Sequence, residues 1–314
     1  MSRIYLLPKE GQFYKANLHC HSTCSDGRLT PEQLKRAYKA HGYQILAYSD
    51  HNVLTPHKEL ADSEFLPLTA IEIDATSPDQ PWPYPPTYHL NFFSKDPNRT
   101  QFVPFERSYD PKAINRMICS ANEAGFLSQY NHPAWSYQDS RDFLPLEGLW
   151  GFEVYNHGCE LEMSNGYGLN EYEQYVRAGG RGVCVATDDN HNGFPFGNPR
   201  SDSFGGFTMI KASALTYEAV ITAMEQKNLY ASTGPQITEL YWEDDALHLS
   251  CSPCARLYLH TDHRGTDTIL SNGNNLTQAV MRCNDPFAFI RVECVDSAGK
   301  RALTRCYYKE ELED

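Results

Sequence analysis

The 314-residue chain has no excess of basic charge: 27 Lys and Arg stand against 40 Asp and Glu, for a formal net charge of −13. Nucleic-acid binding leans on basic surface, so a nucleic-acid partner is not expected. No apolar run is long enough to span a bilayer, and the N-terminus offers neither an apolar leader core nor a cleavage site. Neither a membrane nor a secreted setting is therefore expected, and a cytoplasmic one is. There is no internal repeat and no low-complexity tail. The ten cysteines form no C-x-x-C-x-x-C array, which argues for a reducing compartment rather than a disulfide framework. Cys251 and Cys254 make one Cys-x-x-Cys pair, and with no matching second pair structural zinc is not expected there. The length allows one barrel and a small second domain.

The chain does have histidines and carboxylates in ordered groups. His19 and His21 form a His-x-His pair at the end of an apolar run. On extended chain both rings point the same way and can reach one ion, while Cys20 faces away. Further groups follow: Ser49-Asp50-His51-Asn52, Ile71-Glu72-Ile73-Asp74, Tyr88-His89-Leu90, Asn131-His132-Pro133 and Asp188-Asp189-Asn190-His191.

A repeated cycle surrounds them. Thr30-Pro31-Glu32-Gln33 supplies an N-cap, a proline at the first helical position and a capping-box partner, and Gly42 ends that helix. Gln44 to Tyr48 reads as a buried strand just before Asp50 and His51. A second helix opens at Asp110-Pro111 and closes at Gly125, followed by a strand from Phe126 to Tyr130 and then His132. A third, around Tyr172 to Ala178, precedes the strand Val183 to Ala186, with Asp189 and His191 directly after. Candidate ligands thus fall where a strand gives way to the loop before a helix. In a β/α barrel those strand ends converge on one mouth. The spacing predicts a metal-dependent enzyme on an α/β fold of that kind.

Asn-Leu-His-Cys-His-Ser with Ser-Asp-Gly, Ser-Asp-His-Asn and the later Asp-x-His resemble the ordered motifs of the PHP (polymerase and histidinol phosphatase) superfamily of metal-dependent phosphoesterases, over roughly three quarters of the chain. The resemblance implies a distorted TIM-like β/α barrel over 1–235 and metal ligation by His19, His21, Asp26, His51, Glu72, His89, His132, Asp189 and His191. Nine such residues are similar to the trinuclear members. Asp188 is also a candidate, although the Asp-x-His spacing favours Asp189. Tyr230-Ala231-Ser232-Thr233-Gly234-Pro235, followed by short strand signals, resembles the carbaryl-hydrolase-like branch and implies a small all-β, sandwich-like domain over 236–314. That domain reads either as a lid or dimer-forming element or as a structural appendage.

Two or three divalent ions would leave the cup positive despite Asp26, Glu72 and Asp189, which suits a phosphate ester. Such ions lower the pKa of a shared water and neutralise charge during in-line attack, so a metal-bound hydroxide is the expected nucleophile. Glu72 is the expected bridging carboxylate. Imidazole-rich ligation fits Zn²⁺, Fe²⁺ or Mn²⁺. Arg200 follows the last motif and could clamp a phosphate in bidentate fashion, or could be a solvated surface arginine. His157 could protonate a leaving group, or be structural. Asp50 is expected to orient a ligand histidine. The proline-rich stretch from Ser77 to Pro86 could wall a pocket with Trp82 and Tyr84, facing Trp135 and Tyr137, or form an irregular excursion. The expected activity is a small-molecule phosphoesterase. The alternatives are a hydrolase of a non-phosphate ester, carbamate or amide, and a non-catalytic metal-binding module. Oligomeric state is not written in the sequence.

Overall fold

A computed structural model of the protein describes residues 3–78, 85–264, 266–283 and 285–313. In chain order these form β1 (Ile4–Tyr5), β2 (Gln12–Asn17), α1 (Pro31–Ala40), β3 (Ile45–Tyr48), β4 (Leu66–Thr76), β5 (Thr87–Ser94), α2 (Pro111–Glu123) and β6 (Phe126–Tyr130). Next come α3 (Ser140–Phe143), β7 (Gly151–Asn156), α4 (His157–Met163), α5 (Leu169–Arg177), β8 (Val183–Thr187), β9 (Phe207–Ala212), α6 (Tyr217–Glu225) and β10 (Leu229–Ser232). The remaining strands are β11 (Ile237–Glu243), β12 (Ala246–Cys254), β13 (Arg256–Thr261), β14 (Asp267–Leu270), β15 (Leu276–Met281), β16 (Phe289–Val295), β17 (Arg301–Leu303) and β18 (Tyr307–Tyr308). None of the described helices is long and apolar enough to cross a membrane.

Local sequence accounts for the helices. The Thr30 hydroxyl accepts the Gln33 N–H and the Gln33 side chain accepts the Thr30 N–H, while Pro31 fills a position whose N–H has no helical partner. Asp110 caps α2 in a similar way, ahead of Pro111. Ala113, Ile114, Met117, Ile118 and Ala121, three and four apart, form the buried face of α2.

One large sheet runs in the order β14-β13-β16-β17-β10-β9-β2-β3-β4-β5-β6-β7-β8. β2, β3 and β4 are parallel, as are β6, β7 and β8. β5 is antiparallel to both neighbours, and β9 is antiparallel to β2 and β10. This departs from the expected β/α barrel in two ways. β4 and β5 pair antiparallel, with no helix between them among the described residues, whereas a parallel pair would need a crossover. Among the described residues no backbone ladder joins β8 to β9. There the Thr208 hydroxyl accepts the Ala186 N–H at 3.2 Å and donates to the Ala186 carbonyl at 3.0 Å. The sheet curls round its interior without closing as a hydrogen-bonded barrel.

Beyond residue 235 the strands divide between two sheets. β17 pairs with β10, so β13, β14, β16 and β17 prolong the large sheet. β11, β12 and β15 make a four-stranded sheet with β1 from the other end of the chain. Leu240, Trp242, Leu247 and Leu249 of the smaller sheet share a core with Leu257, Leu259, Ile290 and Val292 of the larger. The strands beyond residue 235 therefore form no layer pair of their own: one layer is part of the main sheet, and the other includes a strand from the N-terminal segment. Each aliphatic buried in that core contributes about 1.5–3 kcal/mol.

Candidate metal centre

β2, β3, β4, β6, β7 and β8 point the same way, so the chain leaves them at one end of the sheet. The extended chain past Asn17 carries His19 and His21 inward, both wholly buried, while Cys20 turns into the apolar core. His51 lies three residues past β3 and bridges to Glu72. Glu72 and His89 do not sit at strand-to-loop junctions as the sequence suggests. Glu72 lies within β4, which runs on past the end of its pairing with β3. His89 lies within β5, whose antiparallel course brings its beginning to this end. His132 (φ 21°) and Asp189 (φ 52°) each follow a strand by two residues with left-handed backbone. Non-glycine residues rarely adopt that region, and where they do it is often at functional sites. Asp26 reaches the cluster from a tight Ser-Asp-Gly turn, in which any Cβ on Gly27 would strike the His21 carbonyl.

The structure brings all nine residues together. Glu72 Oε2 lies 3.2 Å from His19 Nε2, His21 Nε2 and His51 Nδ1. Its other oxygen is 3.1 Å from His89 Nδ1 and 3.6 Å from His132 Nε2. Asp189 Oδ1 is 3.1 Å from His19 Nε2 and 3.0 Å from His21 Nε2, and Oδ2 is 3.6 Å from His132 Nε2. Asp26 Oδ2 is 3.4 Å from His191 Nε2 and 4.0 Å from His51 Nε2. Among the constellations whose donor atoms lie within 4.8 Å of one another are His21, Asp26, His51 and His191; His19, His21, Glu72 and Asp189; and His19, His132 and Glu153.

Burial tests whether these residues suit an ion. His19 Nε2, both ring nitrogens of His21, His51 Nδ1 and Asp189 Oδ1 are buried and make no hydrogen bond. Several sit only 3.0–3.2 Å from a carboxylate oxygen, so distance is met and direction is not. Atoms bound about 2.1 Å from one ion at tetrahedral or right angles stand roughly 3.0–3.4 Å apart. The donor set and its spacing therefore fit divalent ions, and leaving so many polar atoms unpaired without them would be costly. Burial opposes ionisation of Glu72, yet the imidazoles of His19, His89 and His51 hold it well below the usual carboxylate range. Asp189 is held down likewise, against burial, by His19, His21 and His132.

Around the cluster stand residues that position it. Glu153, which sequence reasoning passed over, is buried behind His19, with Oε1 3.0 Å from His19 Nδ1 and Oε2 accepting the His132 N–H at 3.0 Å. Thr187 and Asn156 also donate to it. A charged residue between Phe152 and Val154, within a strand buried throughout, was the available signal. Of the two adjacent aspartates, Asp189 faces the cluster. Asp188 instead accepts the N–H groups of Phe204, Gly205 and Gly206 and the Tyr38 hydroxyl. Asp50 touches no ligand histidine: it ties down the turn that carries Asp26, accepting from the backbone and hydroxyls of Ser22 and Ser25. This differs from the orienting role expected of it, because the nearby turn offers four donors.

A cavity of about 430 Å³ opens over the cluster, lined by Asp26, Glu72, Asp189, Trp135, Phe194 and Arg200 among others. Arg200 is exposed, with its guanidinium 4.3 Å from the centre of the Phe194 ring, and is the one Arg or Lys among the described lining residues. His157 stands apart: its Nδ1 meets the Tyr155 hydroxyl at 2.9 Å and its ring packs on Gly205. Burial, then the charge of Lys300, pushes its pKa down to about 4, so it is neutral near pH 7 and no ready acid. Trp135 lies edge-on to His89 and His132, and Tyr137 lines an adjoining groove. Trp82 and Tyr84, read from the sequence as a pocket wall or as part of an irregular excursion, lie outside the described residues.

No family model matches the chain. A 5′-3′ exoribonuclease of Haemophilus influenzae is 28% identical over 123 residues, 37% of this chain. The match spans 43% of that relative's own length. Among solved structures, a Bacteroides vulgatus protein, described as a two-domain protein containing a predicted PHP-like metal-dependent phosphoesterase, aligns at TM-score 0.50 and 15% identity, over 97% of this chain and 98% of that one. An amidohydrolase from Chromobacterium violaceum aligns at TM-score 0.41 and 15% identity, over 56% of this chain and 87% of that one. The likeness to the Bacteroides protein shows a shared fold across nearly the whole chain.

Proposed function

We propose that this chain is a metal-dependent hydrolase of the PHP superfamily, acting as a phosphoesterase on a small phosphate ester. The observation that carries this reading is the set of buried, unpaired imidazole and carboxylate atoms around Glu72 and Asp189. His19, His21, Asp26, His51, Glu72, His89, His132, Asp189 and His191 would hold two or three divalent ions, Zn²⁺, Fe²⁺ or Mn²⁺. Such ions supply Lewis acidity and lower the pKa of water near neutrality.

The chain's own residues do the rest. Glu72 offers both oxygens to the cluster and would help to hold more than one ion there. Glu153 fixes the orientation and tautomer of His19, leaving Nε2 free to bind. Arg200, at the cavity wall, would take a phosphate oxygen pair. Trp135, Leu161 and Phe194 give the cavity an apolar side. That side also favours a second reading, hydrolysis of a non-phosphate ester, carbamate or amide, since activated water attacks an acyl carbon as well. We take residues 1–235 as the catalytic unit and 236–314 as a β unit; the run of β strands that starts after Pro235 supports this.

The formal charge of −13 supports a small substrate over a nucleic acid. The test is a metal-reconstituted screen of phosphomonoesters, phosphodiesters, carboxylic esters and a short RNA, reported as kcat/KM. Highest turnover on a small phosphate ester is expected. Preference for acyl esters would exchange the two readings, and preference for RNA would overturn the small-substrate assignment.

A further inference from the structure

A second group of metal-type side chains lies in the β unit. Cys251, Cys254 and Cys294 are all buried, and their sulfurs lie within 4.8 Å of one another. The sequence shows only the Cys251-Ser252-Pro253-Cys254 pair, and the fold supplies the third thiol from a strand forty residues on.

How the pair reaches this position is informative. Residues three apart on a regular strand face opposite ways. Along β12 the inward residues are Leu247, Leu249 and Cys251, so Cys254 would fall on the outer face with Ser250 and Ser252. The ladder between β12 and β15 slips between Ser250 and Cys254: four steps on one strand match two on the other, from Gln278 to Leu276. Pro253 is exposed at the dislocation. The slip turns Cys254 back inward beside Cys251. Cys294 comes from β16, which belongs to the other sheet. The three sulfurs therefore join the two sheets across their shared core. Packing alone would be met by any small apolar side chain at these positions without a break in the ladder.

The sulfurs are also each other's main polar company. Each of the three thiols has the other two as its hydrogen-bonding neighbours. The Leu276 carbonyl, 3.8 Å from Cys251 Sγ, is an oxygen at the edge of the group.

We propose that Cys251, Cys254 and Cys294 bind one Zn²⁺ ion that cross-links the two sheets of the β unit. Thiolate sulfur selects soft and borderline ions. Three thiolates leave one net negative charge around Zn²⁺ but two around Cu⁺, and burial disfavours the larger charge. Such an ion stabilises the fold directly, because the unfolded chain does not hold the three sulfurs together. This site is independent of the histidine cup and of the reading of its function.

The test uses the full chain loaded with Cd²⁺ or Co²⁺. Thiolate ligands give a charge-transfer absorption that imidazole and carboxylate do not, so the band separates this cluster from the cup. The expected result is a band saturating at a single ion, abolished in Cys294→Ser and in Cys254→Ser and retained in Cys119→Ser, whose thiol is exposed on α2. Elemental analysis should show one zinc fewer in Cys294→Ser than in the parent protein. Circular dichroism checks that the variants fold; should Cys294→Ser fail to, Cys254→Ser and the parent band decide. No band in the folded parent protein, an unchanged zinc count in a folded variant, or a Cys251–Cys254 disulfide in protein purified under reducing conditions would each overturn the site.

Discussion

Glu153 Oε1 stands 3.0 Å from His19 Nδ1, and both side chains are sealed from solvent. A carboxylate behind a ligand imidazole fixes the ring and raises its basicity, and removing such a partner typically costs 10–100-fold in metal affinity. Glu153→Gln should weaken ion binding by about that factor while leaving the nine candidate ligand residues in place. Metal titration followed by calorimetry checks this, and an unchanged affinity in a folded variant would remove Glu153 from the site.

Glu72→Gln should do more. A neutral amide cannot offer two anionic oxygens to neighbouring ions, so kcat should fall by at least about 10²-fold, the lower end for losing a key electrostatic element. Near-parental kcat with full metal content would show that Glu72 is not central.

Arg200→Ala separates the two functional readings. If Arg200 clamps a phosphate, KM for phosphate esters should rise and inhibition by inorganic phosphate should weaken, because a charge-assisted contact is lost. Kinetics on a neutral carboxylic ester should barely move. Unchanged phosphate inhibition would place Arg200 outside the binding site.

Acid stability turns on Glu293, held among His260 at 3.1 Å, Arg301 at 2.7 Å and Arg291 at 3.5 Å. Burial raises its pKa, but the hydrogen bond with His260 and the charges of Arg291 and Arg301 outweigh that and bring it down to about 2. A folded pKa below the unfolded one stabilises fully above the unfolded pKa and is lost as pH falls through the folded value. The stabilisation, on the order of 3 kcal/mol, is therefore present above about pH 4.5 and disappears towards pH 2. Urea unfolding of Glu293→Gln between pH 7 and pH 3 should show a shallower acid slope than the parent; identical slopes would refute this.

The purified protein should carry two or three transition-metal ions in the cup, beyond any bound by the cysteines. Elemental analysis of Cys294→Ser counts the cup alone. No ion, and no activation by added Mn²⁺, Zn²⁺ or Fe²⁺, would refute it, and a count of one would remove the multinuclear arrangement.

What was legible in the sequence was local. Thr30-Pro31 with Gln33, and Asp110-Pro111, state their helix starts in side-chain chemistry, and the structure has those caps. The histidine motifs could be read because like residues two apart on extended chain share a face. Relations between distant strands were not legible. Nothing in Tyr88-His89-Leu90 says that β5 runs antiparallel, or that the sheet stays open beside β8, since both depend on which strands become neighbours. Glu153 was hidden by its apolar strand, and Cys294 by its distance from the pair it joins. Asp50 shows the converse: its place in a motif suggested a histidine partner, and the adjacent turn took its oxygens first.

The antiparallel β4–β5 pair also governs how the cup is assembled in time. It holds Glu72 and His89, seventeen residues apart, in contact. His19 and Asp189 are ten times further apart along the chain. Closing a loop ten times longer costs about 2 kcal/mol more in chain entropy. One wall of the cup can therefore form early from a local hairpin. The other must wait for β8 to dock, so refolding should produce Glu72 with its neighbouring histidine before a complete ion-binding cup exists.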